Sequence, residues 1–258
     1  MNRSTLLWVT STIITVIAAV YQRVTGPTYP VSGKVQFAGK KFDYRLAKSH
    51  AGETDATVEL RTDDASVSGT VLWKRHKTAD SLQESAMKFE NGILKTSLPL
   101  QPHAERVQYQ IHLATNTGEI TMLPAASVVL RFRGEVPLYV LVPHVVLMFA
   151  AMLFSTRAGL EFLNVRPNYF SLVRWTIITL FGGGFVFGPL MTWFAFQMWW
   201  TGWPVGTDLT DNKTALAMLL WLVALFFLKG SKSPGRWVLV AAVGLLLVYL
   251  IPHSWIGT

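Results

Sequence analysis

The sequence predicts an integral membrane α-helical protein with five transmembrane helices and an all-β sandwich inserted between helices 1 and 2. Three observations lead there. Hydrophobic residues make up 51% of the 258-residue chain, five apolar runs are long enough to suggest spans, and one polar segment holds most of the charges. Ordinary soluble domains do not combine these features.

The apolar runs are Thr5 to Tyr21, Leu138 to Thr156, Leu172 to Trp200, Thr214 to Leu228 and Trp237 to Ile251. A bilayer core of about 30 Å needs about 20 helical residues, so the last two runs must borrow flanking residues or tilt little. Residues 1–22 are expected to form an N-terminal anchor, 23–136 an extracytoplasmic β-sandwich and 137–258 a four-helix transmembrane domain. Arg3 ahead of the first run also suits a signal peptide. The apolar stretch is long for one, however, and no A-x-A site closes it after Ile17-Ala-Ala19, so it reads as an uncleaved anchor.

Charge sets the orientation. Outside the polar segment, seven cations (Arg3, Arg157, Arg166, Arg174, Lys229, Lys232 and Arg236) fall on one side of a five-span chain. The positive-inside bias makes that side cytoplasmic. The expectation is a multi-pass protein of the cytoplasmic (inner) membrane, with its N-terminus in the cytoplasm and its soluble domain and C-terminus outside. The net charge of +8 then reports orientation, and nucleic acid is not an expected partner. Cysteine is absent, which rules out disulfides, cysteine-held Fe–S clusters and covalently attached haem.

In the polar segment, short runs rich in β-branched and aromatic residues recur between turn signals. They are Gly33 to Phe37, Lys41 to Leu46, Ala56 to Arg61, Gly69 to Arg75, Ser85 to Phe89, Ile93 to Leu98, Arg106 to Leu113, Glu119 to Met122 and Ser127 to Phe132. Such spacing reads as an antiparallel sandwich. Val107, Tyr109, Ile111 and Leu113 alternate with Gln108, Gln110 and His112, which gives one core face and one wet face. Glu90-Asn-Gly92 and Asn116-Thr-Gly118 supply hairpin turns, because Asn and Gly tolerate positive φ. The architecture resembles the immunoglobulin-like or fibronectin type III sandwich at the level of class. Neither the paired cysteines nor the core tryptophan of antibody domains is placed in it, and no function carries over from the likeness.

Candidate chemistry lies toward the outer side. All six histidines (His50, His76, His103, His112, His144 and His253) fall there, but none of the four in the sandwich has metal-ligand spacing with another. Lys74-Arg-His-Lys77 reads as a solvated strand end. His144 lies within the second span, where an ionisable group usually faces other helices or a cavity. With Asp208, Asp211, Lys213 and His253 it makes a candidate outer-face polar cluster, and Asp211 is placed as the N-cap of the fourth span. Gly182, Gly183, Gly184, Gly188 and Pro189 predict a weakened, bent helix suited to close packing. Trp193, Trp199, Trp200, Trp203 and Trp255 form an interfacial belt. On the inner side, Arg157, Glu161 and Arg166 suit anionic headgroups.

No P-loop, Rossmann fingerprint, H-E-x-x-H or G-x-S-x-G occurs. The expected function is therefore a non-catalytic, bacterial-type envelope protein, an accessory or assembly subunit whose outer domain binds a partner. Its expected partners are the lipid bilayer and other membrane subunits, with no cofactor and no assigned metal. One alternative is a metal- or haem-binding redox or enzyme subunit using the outer-face His and Asp residues. The other is a small transporter or channel built on the broken helix from Gly182 to Pro189.

Overall fold

The structure is a computed structural model that describes residues 2–206 and 209–251. Two compact units divide it: Met1–Pro27 with Val136–Thr258, and Thr28–Glu135.

The first unit is helical. Its elements are α1 (Arg3–Thr25), α2 (Leu138–Gly159), α3 (Tyr169–Phe181), a π-helical segment (Gly182–Phe187), α4 (Gly188–Phe196), α5 (Leu209–Phe227) and α6 (Pro234–Leu250). Asn2 starts α1 by accepting a 2.8 Å hydrogen bond from the Thr5 amide, which satisfies one of the amides a helix start leaves open. α2 packs against α1, α3 and α6, while α5 packs against α3 and α6. Ala151, Met152, Leu180, Trp221, Ala241 and Leu245 lie in their shared core.

Among the described residues, four stretches are long and apolar enough to cross a membrane: Arg3–Thr25, Leu138–Leu163, Tyr169–Phe196 and Leu209–Phe227. The expectation of five spans is corrected here. The fifth run folds as α6, an apolar helix of 17 residues that falls below that length. At 1.5 Å per residue it reaches about 25 Å, short of a core of about 30 Å. The third run continues as one helical stretch from Tyr169 to Phe196, loosening from α to π geometry across its glycines. The helix ends earlier than Trp200, where Gln197 turns left-handed at φ 60° and donates its N–H to the Trp193 carbonyl.

The second unit contains ten strands: β1 (Val31–Phe37), β2 (Lys40–Leu46), β3 (Ser49–Ala51), β4 (Ala56–Arg61), β5 (Val67–Arg75), β6 (Gln83–Ala86), β7 (Lys88–Glu90), β8 (Ile93–Leu98), β9 (Arg106–Thr115) and β10 (Ile120–Arg133). They form sheets ordered β3-β10-β9-β5-β6, β4-β8-β7 and β1-β2. One core holds them together, with Phe37, Leu60, Leu98, Ile111 and Phe132 all nearly inaccessible. Apolar burial from several sheets into one core fits a β-sandwich.

The strand faces follow the pleat. Val107, Tyr109, Ile111 and Leu113 are buried while the intervening residues are half exposed. Asn91 and Gly92, at φ 51° and 82°, turn β7 into β8 with Glu90 opposite Ile93. Ala38 adopts φ 53° beside Gly39 in the β1–β2 turn, a conformation that is costly for a residue with a Cβ.

Not every pairing is antiparallel. β3 runs parallel to β10, with Arg131 opposite Ser49. The two strands expected at Glu119 to Met122 and Ser127 to Phe132 are one strand, irregular between Leu123 and Val128. Trp73, unassigned from sequence, is a core residue of β5 that donates its indole N–H to Ser85 Oγ at 3.0 Å.

Candidate functional site

Of the polar groups singled out in the sequence, His144, Asp211 and Lys213 lie toward the end of the helical unit where α2 and α5 begin and α6 finishes. Histidine within an apolar helix needs a partner for its ring nitrogens. His144 Nδ1 lies 2.9 Å from the Gly183 carbonyl oxygen in the π segment. A carbonyl only accepts, so Nδ1 carries the proton, and in the neutral ring Nε2 is the open acceptor.

The π geometry and the glycines explain how this approach is possible. A Cβ on Gly183 would stand 2.8 Å from Met148 Sδ, and one on Gly184 would stand 2.4 Å from Thr214 Cγ2. The segment is therefore pressed between α2 on one side and α5 on the other. Small residues permit such approach between helices, and no larger side chain fits without displacing a neighbour.

Asp211 does not act as the expected N-cap. It lies inside α5, 8% exposed, and its Oδ2 accepts from the Thr201 amide at 2.6 Å and from Thr201 Oγ1 at 2.8 Å. Asn212 Oδ1 accepts from the Trp203 amide at 2.7 Å. Both side chains reach back along the chain to hold the loop that follows α4. The helix-start signal in the sequence was real, but the groups it satisfies belong to the loop.

Lys213 Nζ donates to the Ile251 carbonyl at 2.8 Å, and Gln22 Nε2 donates to the Tyr249 carbonyl at 2.8 Å. Both acceptors lie at the C-terminal end of α6, where carbonyls lack intrahelical donors and the helix dipole favours a cation. Gln22 and Thr201 were not singled out in the sequence, because nothing local marks a side chain that caps a distant helix.

His144, Asp211 and Lys213 thus hold three different backbone partners. Asp208 and His253 lie outside the described residues, as does Trp255. Among the described residues no group of three or more His, Asp or Glu side chains could hold a metal ion.

Of the expected belt, Trp193 and Trp199 stack with ring centroids 4.8 Å apart. Trp200 stacks on Phe185 and donates its N–H to the Trp203 carbonyl at 3.1 Å. Trp203 is 77% exposed. Indole rings of this kind suit an interface between water and hydrocarbon.

The opposite end of the helical unit corrects another expectation. Arg157 and Glu161 do not face outward toward headgroups: they form a buried ion pair across one helical turn. Glu161 Oε1 also accepts from Asn164 Nδ2 at 3.1 Å and from the Asn168 amide at 2.8 Å. The Arg157 guanidinium lies over the Trp8 ring, 5.4 Å from its centroid. Buried charges persist when paired and hydrogen-bonded in this way, and the pair joins α1, α2 and the turn into α3. Arg166 remains exposed.

In the β unit, the histidines are dispersed. His103 Nε2 meets Glu53 at 2.9 Å, His50 Nε2 meets the Thr54 carbonyl at 2.7 Å, and His76 Nδ1 meets Gln108 at 3.3 Å. Within the cationic run, Arg75 makes a two-pronged contact with Asp80, at 2.6 and 3.0 Å. That contact holds the Asp80 carboxyl below the usual carboxylate range.

No family model matches the chain, and no curated protein matches it. Among solved structures it is similar to that of murine CRIg, at 10% identity over 42% of this chain and 98% of that one. The TM-score is 0.23, too low to bear on fold or function.

Proposed function

We propose that the chain is a non-catalytic, multi-pass protein of a bacterial-type inner membrane. In this reading it serves as an accessory or assembly subunit of a larger complex, with an immunoglobulin-like β unit facing outward to bind a partner. The observation that supports it most is the use made of the polar side chains in the helical unit. His144, Asp211, Asn212, Lys213 and Gln22 each secure backbone of another segment.

Groups engaged this way hold helices and loops together, and catalytic groups would instead converge on a space for substrate. The apolar surface agrees. Leu6, Val9, Ile13, Val16, Ile17 and Val20 leave a long face of α1 exposed, as suits contact with lipid or with another subunit's helix. The immunoglobulin-like reading of the β unit is supported by its shared core, by the buried Trp73 and by strands in a Greek-key-compatible order, with β9 between β5 and β10.

Purification of a tagged chain from native membranes in mild detergent tests the proposal. Stoichiometric co-purifying membrane proteins are expected. A homogeneous particle containing this chain alone would overturn the subunit reading.

A further inference from the structure

An apolar groove lies between the start of α3 and the end of α5, and its chemistry is divided. Phe170 and Ile178 are among the residues of one wall and Phe226 among those of the other, while Arg174, Lys229 and Gly230 also contribute to the lining. Its volume is about 940 Å³, at the upper end of the range of about 300–1,000 Å³ usual for small-molecule sites. Phe170, Ile178 and Phe226 are respectively 51%, 48% and 77% exposed, so the walls are open along their length.

Both cations are exposed, and among the described residues neither forms an ion pair with a carboxylate. Arg174 instead lies over the neighbouring Trp175 ring, 5.8 Å from its centroid. A Cβ on Gly230 would meet nothing within 4 Å, so the groove's mouth is clear of side chains at that point.

We infer that this groove binds an anionic glycerophospholipid, with one acyl chain along the Phe170, Ile178 and Phe226 walls and its phosphate held by Arg174 and Lys229. The inference rests on the membrane reading above, and adds to it a defined lipid site. Hydrocarbon walls alone accept any lipid chain, and cations alone accept any anion. An anionic phospholipid satisfies both, whereas a zwitterionic headgroup leaves the cations uncompensated. A guanidinium also matches phosphate geometry with paired N–H donors.

The test uses the full chain in vesicles of phosphatidylcholine containing a minority of phosphatidylglycerol. Alkaline carbonate extraction comes first. Release of the chain from the bilayer would overturn the membrane reading, and with it this site. For retained protein, native mass spectrometry then counts the lipids that stay bound.

Phosphatidylglycerol is expected to be enriched over phosphatidylcholine. Its retention should fall about fivefold for each of Arg174→Gln and Lys229→Gln, the effect of removing one basic group beside an anionic lipid. Ile178→Trp, which fills the groove without changing charge, should also expel it. Lys232→Gln, outside the groove, should leave retention unchanged. Equal loss with Lys232→Gln would show a diffuse cationic surface and overturn the site. So would undiminished retention in the Arg174→Gln/Lys229→Gln double variant, or protection by inorganic phosphate with no lipid enrichment.

Discussion

His144 donates its Nδ1 proton to the Gly183 carbonyl across 2.9 Å, linking α2 to the π-helical segment 39 residues later. The carbonyl sits in an apolar setting where an unmet acceptor costs about 1–3 kcal/mol. His144→Leu should therefore lower thermal stability in detergent by that order, while His144→Gln, which retains a donor, should lose less. Equal effects of the two would show that the hydrogen bond contributes nothing.

Asp211 and Thr201 form a second link of this type, between α5 and the loop after α4. Asp211→Ala removes a charged acceptor that serves two donors, at a cost of about 1.5–3 kcal/mol. Limited proteolysis should then cut sooner between Trp199 and Gly206, whereas Asp211→Asn, with one oxygen still able to accept, should give an intermediate rate. An unchanged cleavage pattern would separate the loop's order from this contact.

Gly184 and Thr214 should show strong coupling. With 2.4 Å between a Cβ at 184 and Thr214 Cγ2, Gly184→Ala forces a clash, and overpacking of this kind costs about 1–3 kcal/mol. Thr214→Ser removes the methyl while keeping the hydroxyl that donates to the Thr210 carbonyl. The double variant should recover much of the loss caused by Gly184→Ala alone. Strict additivity in a double-mutant cycle of unfolding temperatures would refute the contact.

In the β unit, Asp64 gives a pH signature. A hydrogen bond from Lys40 Nζ, and then bonds from the Ser66 hydroxyl and amide, hold its carboxyl well below the usual carboxylate range. The folded-state value is depressed below the unfolded one, so this contribution is complete above the unfolded pKa near 3.8. It is lost as pH falls from there toward the folded value. Unfolding of the β unit, followed by hydrogen exchange of the β9 amides, should steepen its acid dependence below about pH 4 in the wild type. Asp64→Asn should flatten that slope; an identical slope would remove Asp64 as its source.

Strand positions were legible in the sequence because a half-buried sheet writes its pleat directly as alternation, as in β9. β3 escaped notice because three residues carry no period, and its parallel pairing with β10 is set by tertiary placement. Pro124 made β10 look like two strands, since proline usually ends a ladder, yet here the irregularity between Leu123 and Val128 absorbs it. At the helical end, the sequence marked His144, Asp211 and Lys213 as polar groups of interest but not which partners they touch. The partners of Asp211 and Lys213 come from a loop that folds back and from the far end of α6. Likewise, the four-residue spacing of Arg157 and Glu161 is visible, while their burial depends on Trp8 from α1.

A chain that crosses a bilayer in the proposed way presents the β unit and the loop after α4 on one side, and the cationic turn between α5 and α6 on the other. The natural sequence has no cysteine, so single cysteines report topology without background labelling. Thr117→Cys, Val205→Cys and Lys232→Cys place a thiol at an exposed position in each of these regions, to be probed with a membrane-impermeant maleimide on intact spheroplasts. The thiols at 117 and 205 should react at once, and the thiol at 232 only after permeabilisation. Labelling of all three from outside, or of 232 alone, would contradict the proposed topology.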